Sequence, residues 1–398
     1  MNKEKKIIIS ISSCICMLDI FYELFFNIYI LQTATTNIAL IFACYMIGIL
    51  ISVFLYYPFF KILNGKTAMW IYRFSFVLSF VVVLLSMTVH AHFAFALIFI
   101  TSLKYVFNMC FYIPQEIAMM KHVEKNTSES FLAVKSVFNT SSRVLFSLIV
   151  SSLFVYVETI WLFAIMLVDV SIMFVLSFWS KPAGVDFNFR PKGFWTETKQ
   201  YPHMKYIYAS HTLKRASEAG VVPTIIPMIL FLNMGGEFSL GIYSSIACII
   251  TACWLPLFSK LKKHHKPILI TSIVSLILSA LLLVISTNPI TYVAFFLINQ
   301  FTSTSYTNVE NASLFDSIKY SVLYTNKEEH CFYYGIFGKT AEAISYGIGI
   351  LFYLIMPLEY SLACILLFFM LMKLLSYFLW QKSERLAKQF EKHQVIQI

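Results

Sequence analysis

The chain alternates long apolar runs with short polar breaks from end to end. Apolar segments fall near 7–31, 38–60, 68–87, 92–113, 131–157 and 161–179, then 208–232, 238–258, 268–287, 290–313, 332–356 and 360–380. Each has about the 20 residues that a helix needs to cross a bilayer's hydrocarbon core. Hydrocarbon offers no partner for backbone polar groups, so each segment is expected to be a helix. The longest polar interruption, residues 180–206 (SKPAGVDFNFRPKGFWTETKQYPHMKY), divides the segments six and six. The expected organisation is a six-helix bundle over 1–179, a central cytoplasmic loop over 180–206, a second bundle over 207–380 and a cytoplasmic tail over 381–398. The tail, QKSERLAKQFEKHQVIQI, reads as a short amphipathic helix on the membrane surface.

Composition turns this pattern into a membrane assignment. Hydrophobic residues make up 59% and charged residues 13%, against about 25% charged in soluble domains. The net charge of +10 is spread over many short loops and forms no basic patch, so nucleic acid is not expected as a partner. Connections on one side contain Glu158, Glu237 and Glu359 and no Lys or Arg; those on the other hold Lys61, Lys66, Lys121, Lys125, Lys181, Lys260, Lys262, Lys263 and Lys266 among others. This positive-inside bias predicts a multi-pass protein of the cell membrane with both termini cytoplasmic. The N-terminal MNKEKK leads into an apolar run too long for a signal peptide, without a small-residue cleavage site, so it reads as the first span.

The composition offers little to an enzyme. The eight cysteines form no C-x-x-C pair and read as small buried hydrophobes. Gly65-Lys66-Thr67 lacks the earlier glycine of a phosphate-binding loop, and no H-E-x-x-H occurs. His90, His92, His264 and His265 are short pairs without further ligands nearby, and the nine histidines read as loop or interfacial residues. No catalytic residue, metal or cofactor is expected.

The two halves echo each other. Pro58-Phe59-Phe60-Lys61-Ile62-Leu63 follows the second segment, and Pro256-Leu257-Phe258-Ser259-Lys260-Leu261 follows the eighth. Asn108, Glu116, Asn126, Glu129 and Thr140 recur as Asn308, Asp316, Asn326, Glu329 and Thr340, each 200 residues on. Such self-similarity marks a duplicated unit. Two six-span halves in parallel repeat, a central loop and basic loops after spans two and eight together resemble the major facilitator superfamily. Of that family's motif in the loop after span two, G-x-x-x-D-R-x-G-R-R, only Gly65 and Lys66 survive. A second resemblance, to glycoside-pentoside-hexuronide cation symporters, rests on Asp316-Ser317-Ile318-Lys319-Tyr320, Lys327, Glu329 and Lys339; that group's paired aspartates would fall at Val53 and Tyr57, so its sodium site is not implied. The resemblance implies an all-α integral membrane fold of 12 transmembrane helices in two six-helix pseudo-repeats. It implies a secondary transporter that moves a small-molecule solute across the lipid bilayer by alternating access. A monomer coupled to H+ is expected.

Ionisable groups inside spans cost roughly 2.5–3.5 kcal/mol each on insertion scales, so each needs a reason. Asp19 and Glu23 lie four apart and share one face of the first span. If that face lines the cavity between halves, a desolvated carboxylate there could carry a coupling proton; otherwise one of the two pairs with a neighbouring helix. Lys104, with Asn108 one turn on, is a counter-ion for Asp19 or Glu23, an anion site, or half of a structural pair. Lys135, Asn139 and Arg143 form a polar stripe on span five, where the fork of Arg143 suits a carboxylate or phosphate or bridges to another span. Asn308, Glu310 and Asn311 cluster in span ten, and Lys339 and Glu342 in span eleven, with a Glu310 to Lys339 pair expected across the cavity. Lys214, Arg215 and Glu218 open span seven and read as interfacial, and Pro223 and Pro227 should kink it. Asp169 and Lys373 are expected to pack or snorkel. Tyr22, Tyr105 and Tyr306 are candidates for stacking on a sugar or aromatic ligand. Coupling falls to Asp19, Glu23 or Glu310, and the direction of transport stays open. The alternatives are a lipid or drug exporter, or a non-transporting enzyme or assembly factor on the same scaffold. Ser141, Ser142 and Val144 lack the Gly- and Pro-rich pattern of the superfamily's drug and proton antiporters.

Overall fold

A computed structural model describes residues 3–63, 68–89, 93–122, 128–156, 160–180, 198–199, 201–234, 237–261, 264–286, 288–319 and 327–396. Most of the 180–206 loop, with Lys181, Arg190 and Lys192, lies outside these residues, as do Lys66, Lys125, Lys262, Lys263 and His90. Among them twelve helical segments succeed one another. Helix α1 runs Lys3–Ile20, passes through a π turn at Phe21–Phe25 and continues as Phe26–Thr33. It is followed by α2 (Ile38–Leu63), α3 (Ala68–Ser86), α4 (Phe93–His122), α5 (Ser128–Tyr156) and α6 (Ile160–Ser177). In the second half, α7 comes in two pieces, Pro202–Glu218 and Val221–Met234. Then follow α8 (Glu237–Lys260), α9 (His265–Ile285), α10 (Pro289–Lys319), α11 (Lys327–Ile355) and α12 (Leu358–Ile396).

Eight of these, α1 to α4, α6, α8, α9 and α12, are long and apolar enough to cross a membrane. The other four, α5, α7, α10 and α11, carry Lys135, Arg143, Lys214, Arg215, Glu218, Glu310, Lys339 and Glu342. All of these but Glu310 line the cavities described below. Outward faces are apolar at helical spacing: Val168, Ile172 and Val175 on α6, Leu278 and Leu282 on α9, and Leu371, Leu375 and Phe378 on α12 are all exposed. Water would not tolerate so large an apolar belt, whereas lipid does. The chain is a multi-pass membrane protein.

The packing repeats. In the first half α1 packs on α5 and α6, α4 on α2 and α3, and α3 on α6; in the second, α7 packs on α11 and α12, α10 on α8 and α9, and α9 on α12. Adding six to each label converts one set into the other. The halves meet along two seams related by the same exchange, α2 against α11 and α5 against α8.

The seams differ in chemistry. At α5 and α8 small residues let the backbones approach: a Cβ on Gly241 would lie 2.0 Å from Ser151 Oγ, and the Ser147 and Ser244 hydroxyls meet at 3.3 Å. The α2 and α11 seam is aromatic at both ends. Phe60 meets Phe332 with ring centroids 4.4 Å apart, and toward the other end Tyr346 meets Phe42 at 5.7 Å and Tyr45 at 5.5 Å.

The tail departs from expectation. It is no separate surface helix, because α12 continues unbroken to Ile396. No Gly or Pro interrupts Gln381 to Ile396, and the extension is tied down. Ser383 donates to His203 O at 2.8 Å, Glu384 pairs with Lys266 at 2.9 Å, and Lys382 lies 4.2 Å over the Tyr206 ring.

Candidate functional site

Both helices that open a half are interrupted partway along. In α1 the π turn frees carbonyls from the regular ladder, and the Asn27 side chain takes them up. Its Nδ2 donates to Glu23 O at 2.9 Å and Tyr22 O at 3.3 Å, while Tyr45 OH donates to Asn27 Oδ1 at 2.6 Å. In α7 the break lies at Ala219 and Gly220, where the imino nitrogen of Pro223 leaves Ala219 O without its helical donor. The freed Val221 N–H donates to Ser345 Oγ at 3.0 Å. Residue 220 must be glycine for this contact, since a Cβ there would sit 1.7 Å from the same oxygen. Pro223, expected to kink the span, accompanies a break instead, while Pro227 stays inside the second piece. Asp19 and Glu218 stand just before the two breaks, at equivalent places in the halves.

Two cavities flank these breaks. The first, about 390 Å³, lies between α1, α2, α4, α5, α7, α10 and α11. Five bases (Lys104, Lys135, Lys214, Arg215, Lys339) and four acids (Asp19, Glu23, Glu218, Glu342) line it. The second, about 330 Å³, lies between α1, α5, α7, α8 and α10 and is lined by Arg143, Asn139, Thr140 and Asn308. Glu23, Glu218, Pro223 and Thr307 face both and form the wall between them.

Most of the buried charge is paired. Glu310 is 1% exposed and Lys214 3%; they form an ion pair to which Ser210 adds a hydrogen bond at 3.0 Å. Glu342 binds Arg215 and accepts two hydrogen bonds from Lys339, at 3.0 and 2.8 Å. Glu218 pairs with Lys373 at 2.7 Å and accepts from Thr307 at 3.0 Å. Glu23 and Arg143 are held loosely, at 3.8 Å, with side chains 41% and 25% exposed. Asp19 accepts from Tyr112 OH at 3.1 Å. Lys104 differs from all of these. Its Nζ lies 4.5 Å over the Tyr22 ring, and among the described residues no carboxylate comes within 4.0 Å.

Several expectations are corrected. Glu310 does not pair with Lys339 but points toward α7 and away from both cavities, and Lys339 is taken by Glu342 on its own helix. Lys214, Arg215 and Glu218 are not interfacial; they are buried or cavity-lining members of ion pairs. Lys104 is not the close counter-ion of Asp19 or Glu23. Lys373, expected to pack or snorkel, packs: it is fully buried against Glu218 and donates to Ser303 at 2.5 Å. Asp169 is buried beside Cys14 of α1. Tyr22 and Tyr105 do line the first cavity, each with a lysine on its face, whereas Tyr306 is buried against Ser210 and Ser376. His203, His211, His265 and His330 are buried rather than in loops.

Two pairs at 200-residue offset are described on both sides; of Thr140 and Thr340 only Thr140 lines a cavity, the second, while the asparagine pair is distributed between the cavities. Asn108 lines the first, and Asn308 lines the second, where Ser136 donates to its Oδ1 at 2.7 Å. The side chains of Glu116, Asp316, Lys319, Lys327 and Glu329 lie outside the described residues, so of the second resemblance only Lys339 is placed.

No family model matches the chain, and no curated protein matches it in sequence. Solved structures do match in fold. A bacterial homologue of the iron transporter ferroportin, in its outward-facing state, superposes with a TM-score of 0.67 at 11% identity, covering 97% of this chain and 100% of that one. A bacterial homologue of ferroportin in its outward-facing state with soaked iron gives a TM-score of 0.66 at 11% identity over 96% and 100%. The nucleoside transporter NupG gives 0.63 at 12% identity over 96% and 99%. At such identities the likeness establishes the fold, which is of the major facilitator type.

Proposed function

We propose that the chain is a secondary carrier moving a small solute across the cell membrane by alternating access, with bundles 1–179 and 207–380 rocking about the cavities between them. The observation that carries this reading is the first cavity itself: a charged chamber between halves, flanked by both interrupted helices. Interrupted helices around a polar chamber are how carriers expose polar groups to a solute at membrane depth. The aromatic contacts at the two ends of the α2 and α11 seam supply closures, Phe60 with Phe332 at one end and Phe42 and Tyr45 with Tyr346 at the other. Alternate opening of the two gives each side access in turn. The basic loops support both termini in the cytoplasm. The reading is tested with Asn108→Cys in a background without native cysteines. An impermeant maleimide should label it from both membrane faces, and labelling from one face alone would overturn alternating access.

Proton coupling is assigned within this reading to Asp19 and Glu23. Both line the cavity, and neither is locked in a short ion pair. Around Glu23 stand Asp19 on its own helix, Lys104 of α4, Arg143 of α5 and Arg215 of α7. Glu310, also a sequence candidate, lines neither cavity and is held in an ion pair by Lys214, so it is left out. For a solute found by ligand-induced stabilisation, uptake should depend on pH in the native chain. The dependence should vanish when Asp19→Asn and Glu23→Gln are combined; a pH profile unchanged in that variant would reject the assignment. A non-transporting enzyme or assembly factor on this scaffold would show no solute-dependent change in labelling.

A further inference from the structure

The iron and nucleoside carriers that share this fold leave open what charge the solute bears here, and the first cavity bears on that question. Lys104 is its least compensated group. The ammonium is half-buried mid-span, with a tyrosine face beneath it and no carboxylate within 4.0 Å among the described residues. A buried charge without a partner is costly in a membrane, and a ligand that supplies the partner removes the cost.

A second positive charge stands opposite. Arg215 of α7 and Lys339 of α11 share one carboxylate, Glu342, so the three groups together keep one excess positive charge. Glu342 holds both cations in place, and Lys339 is further fixed 4.0 Å over the Tyr105 ring. Lys104 is near enough to act electrostatically on Lys339.

Unsatisfied polar atoms line the same chamber. His211 is 4% exposed and its Nδ1 has no hydrogen-bond partner among the described residues; the same is true of Asn108 Oδ1, one helical turn from Lys104. His211 is held by stacking on Tyr334, ring centroids 3.3 Å apart. The second cavity has the opposite balance, with Glu23 and Glu218 against Arg143.

We propose that the first cavity binds the carboxylate or phosphate group of an organic anion between Lys104 and the Arg215, Glu342 and Lys339 cluster. A cationic solute would add to an existing excess of positive charge, and a neutral one would leave Lys104 without an anion in contact. The described residues also bring no three of His, Cys, Asp and Glu together as a metal site would need. The guanidinium of Arg215 suits either anionic group through its planar fork. The anion's remaining hydroxyl or carbonyl groups meet His211 and Asn108.

This inference rests on the carrier reading only for its biological meaning, because binding can be measured without transport. The purified full-length chain is heated in detergent at constant ionic strength with succinate, benzoate, inorganic phosphate, glucose 6-phosphate, glucose or choline. At least one of the first four should raise the melting temperature saturably, as mass action requires of a ligand that binds the folded state. Succinate and benzoate against the two phosphates decide which anionic group fits. Lys104→Gln should weaken the response about tenfold, the loss of one charge-assisted contact, and Lys104→Arg should largely restore it. Asn108→Asp, which places a carboxylate one turn from Lys104, should weaken it as well and serves if Lys104→Gln does not fold. Stabilisation by choline or glucose instead, no response to any anion, or an anion response untouched by these variants would overturn the proposal. Failure here with two-sided labelling of Asn108→Cys intact would leave the carrier standing. Anion binding with one-sided labelling would do the reverse.

Discussion

Glu310 and Glu342 are both acids buried in membrane helices, yet their surroundings give them different work. Glu310 lines neither cavity and is closed off behind Lys214, and their ion pair neutralises both charges and adds cohesion between α7 and α10. Removing one partner strands the other charge, at about 3–5 kcal/mol, whereas replacing both by apolar groups of similar size is often neutral. Lys214→Met and Glu310→Leu should therefore each lower the melting temperature sharply, and the double variant should recover most of the loss. Glu342 faces the chamber and answers two cations, so Glu342→Gln should loosen Arg215 and Lys339 and strengthen binding of an anion as it destabilises the empty protein; the same melting assay with and without succinate or phosphate separates the two effects. At this scale the sequence shows which residues are unusual but not whom they meet. Glu310 and Asn311 are neighbours in the chain, yet successive helical residues point about 100° apart. Asn311 lines the cavity while Glu310 faces α7. The expectation of a Glu310 to Lys339 pair failed on that rotation.

Helices α1 and α7 show what the duplication adds. The repeat that relates Asn108 to Asn308 also relates Asp19 to Glu218, 199 residues apart, and each precedes a break. Carrying that offset into span seven would have placed Glu218 and its neighbours at the cavity. The interfacial reading arose because the apolar segment near 208–232 begins several residues inside the actual helix, which starts at Pro202, so Lys214 sat too close to an assumed end. The π turn has no comparable signal: Asn27 satisfies its carbonyls from within an otherwise apolar run. Asn27→Ala would remove the donor that the Tyr22 and Glu23 carbonyls share and should cost about 1–3 kcal/mol, read as a lower melting temperature. Gly220→Ala collides with Ser345 and should abolish folding or activity. Adding Ser345→Gly should restore room but not the hydrogen bond to Val221. The twelve helices were legible, because apolar runs and helical spacing are local properties, whereas the stripe on α5 divides, with Lys135 at the first cavity and Asn139 and Arg143 at the second.

For the whole molecule, the repeated packing set and the two unequal seams bear on the proposed rocking of the halves. The Ser- and Gly-lined contact of α5 with α8 has little side-chain bulk to interlock, so it suits sliding, while the aromatic contact of α2 with α11 suits gripping and release. Disulfide pairing of Phe60→Cys with Phe332→Cys, or of Phe42→Cys with Tyr346→Cys, should each confine labelling of the cavity to one membrane face, and to opposite faces in the two variants. Labelling from the same face in both would mean that the two ends do not alternate. The excess of bases over acids in the first cavity has a further consequence. An empty chamber that keeps a positive charge and changes the side it faces moves that charge through the membrane's electric field, at about 2.3 kcal/mol per elementary charge per 100 mV. On the proposed carrier reading, a bound monoanion cancels one such charge, so a crossing loaded with the anion alone is nearly silent electrically while the unloaded return is driven by voltage. An inside-negative potential would then draw the empty chamber toward the cytoplasmic side, and a coupling proton would add one charge to the loaded crossing.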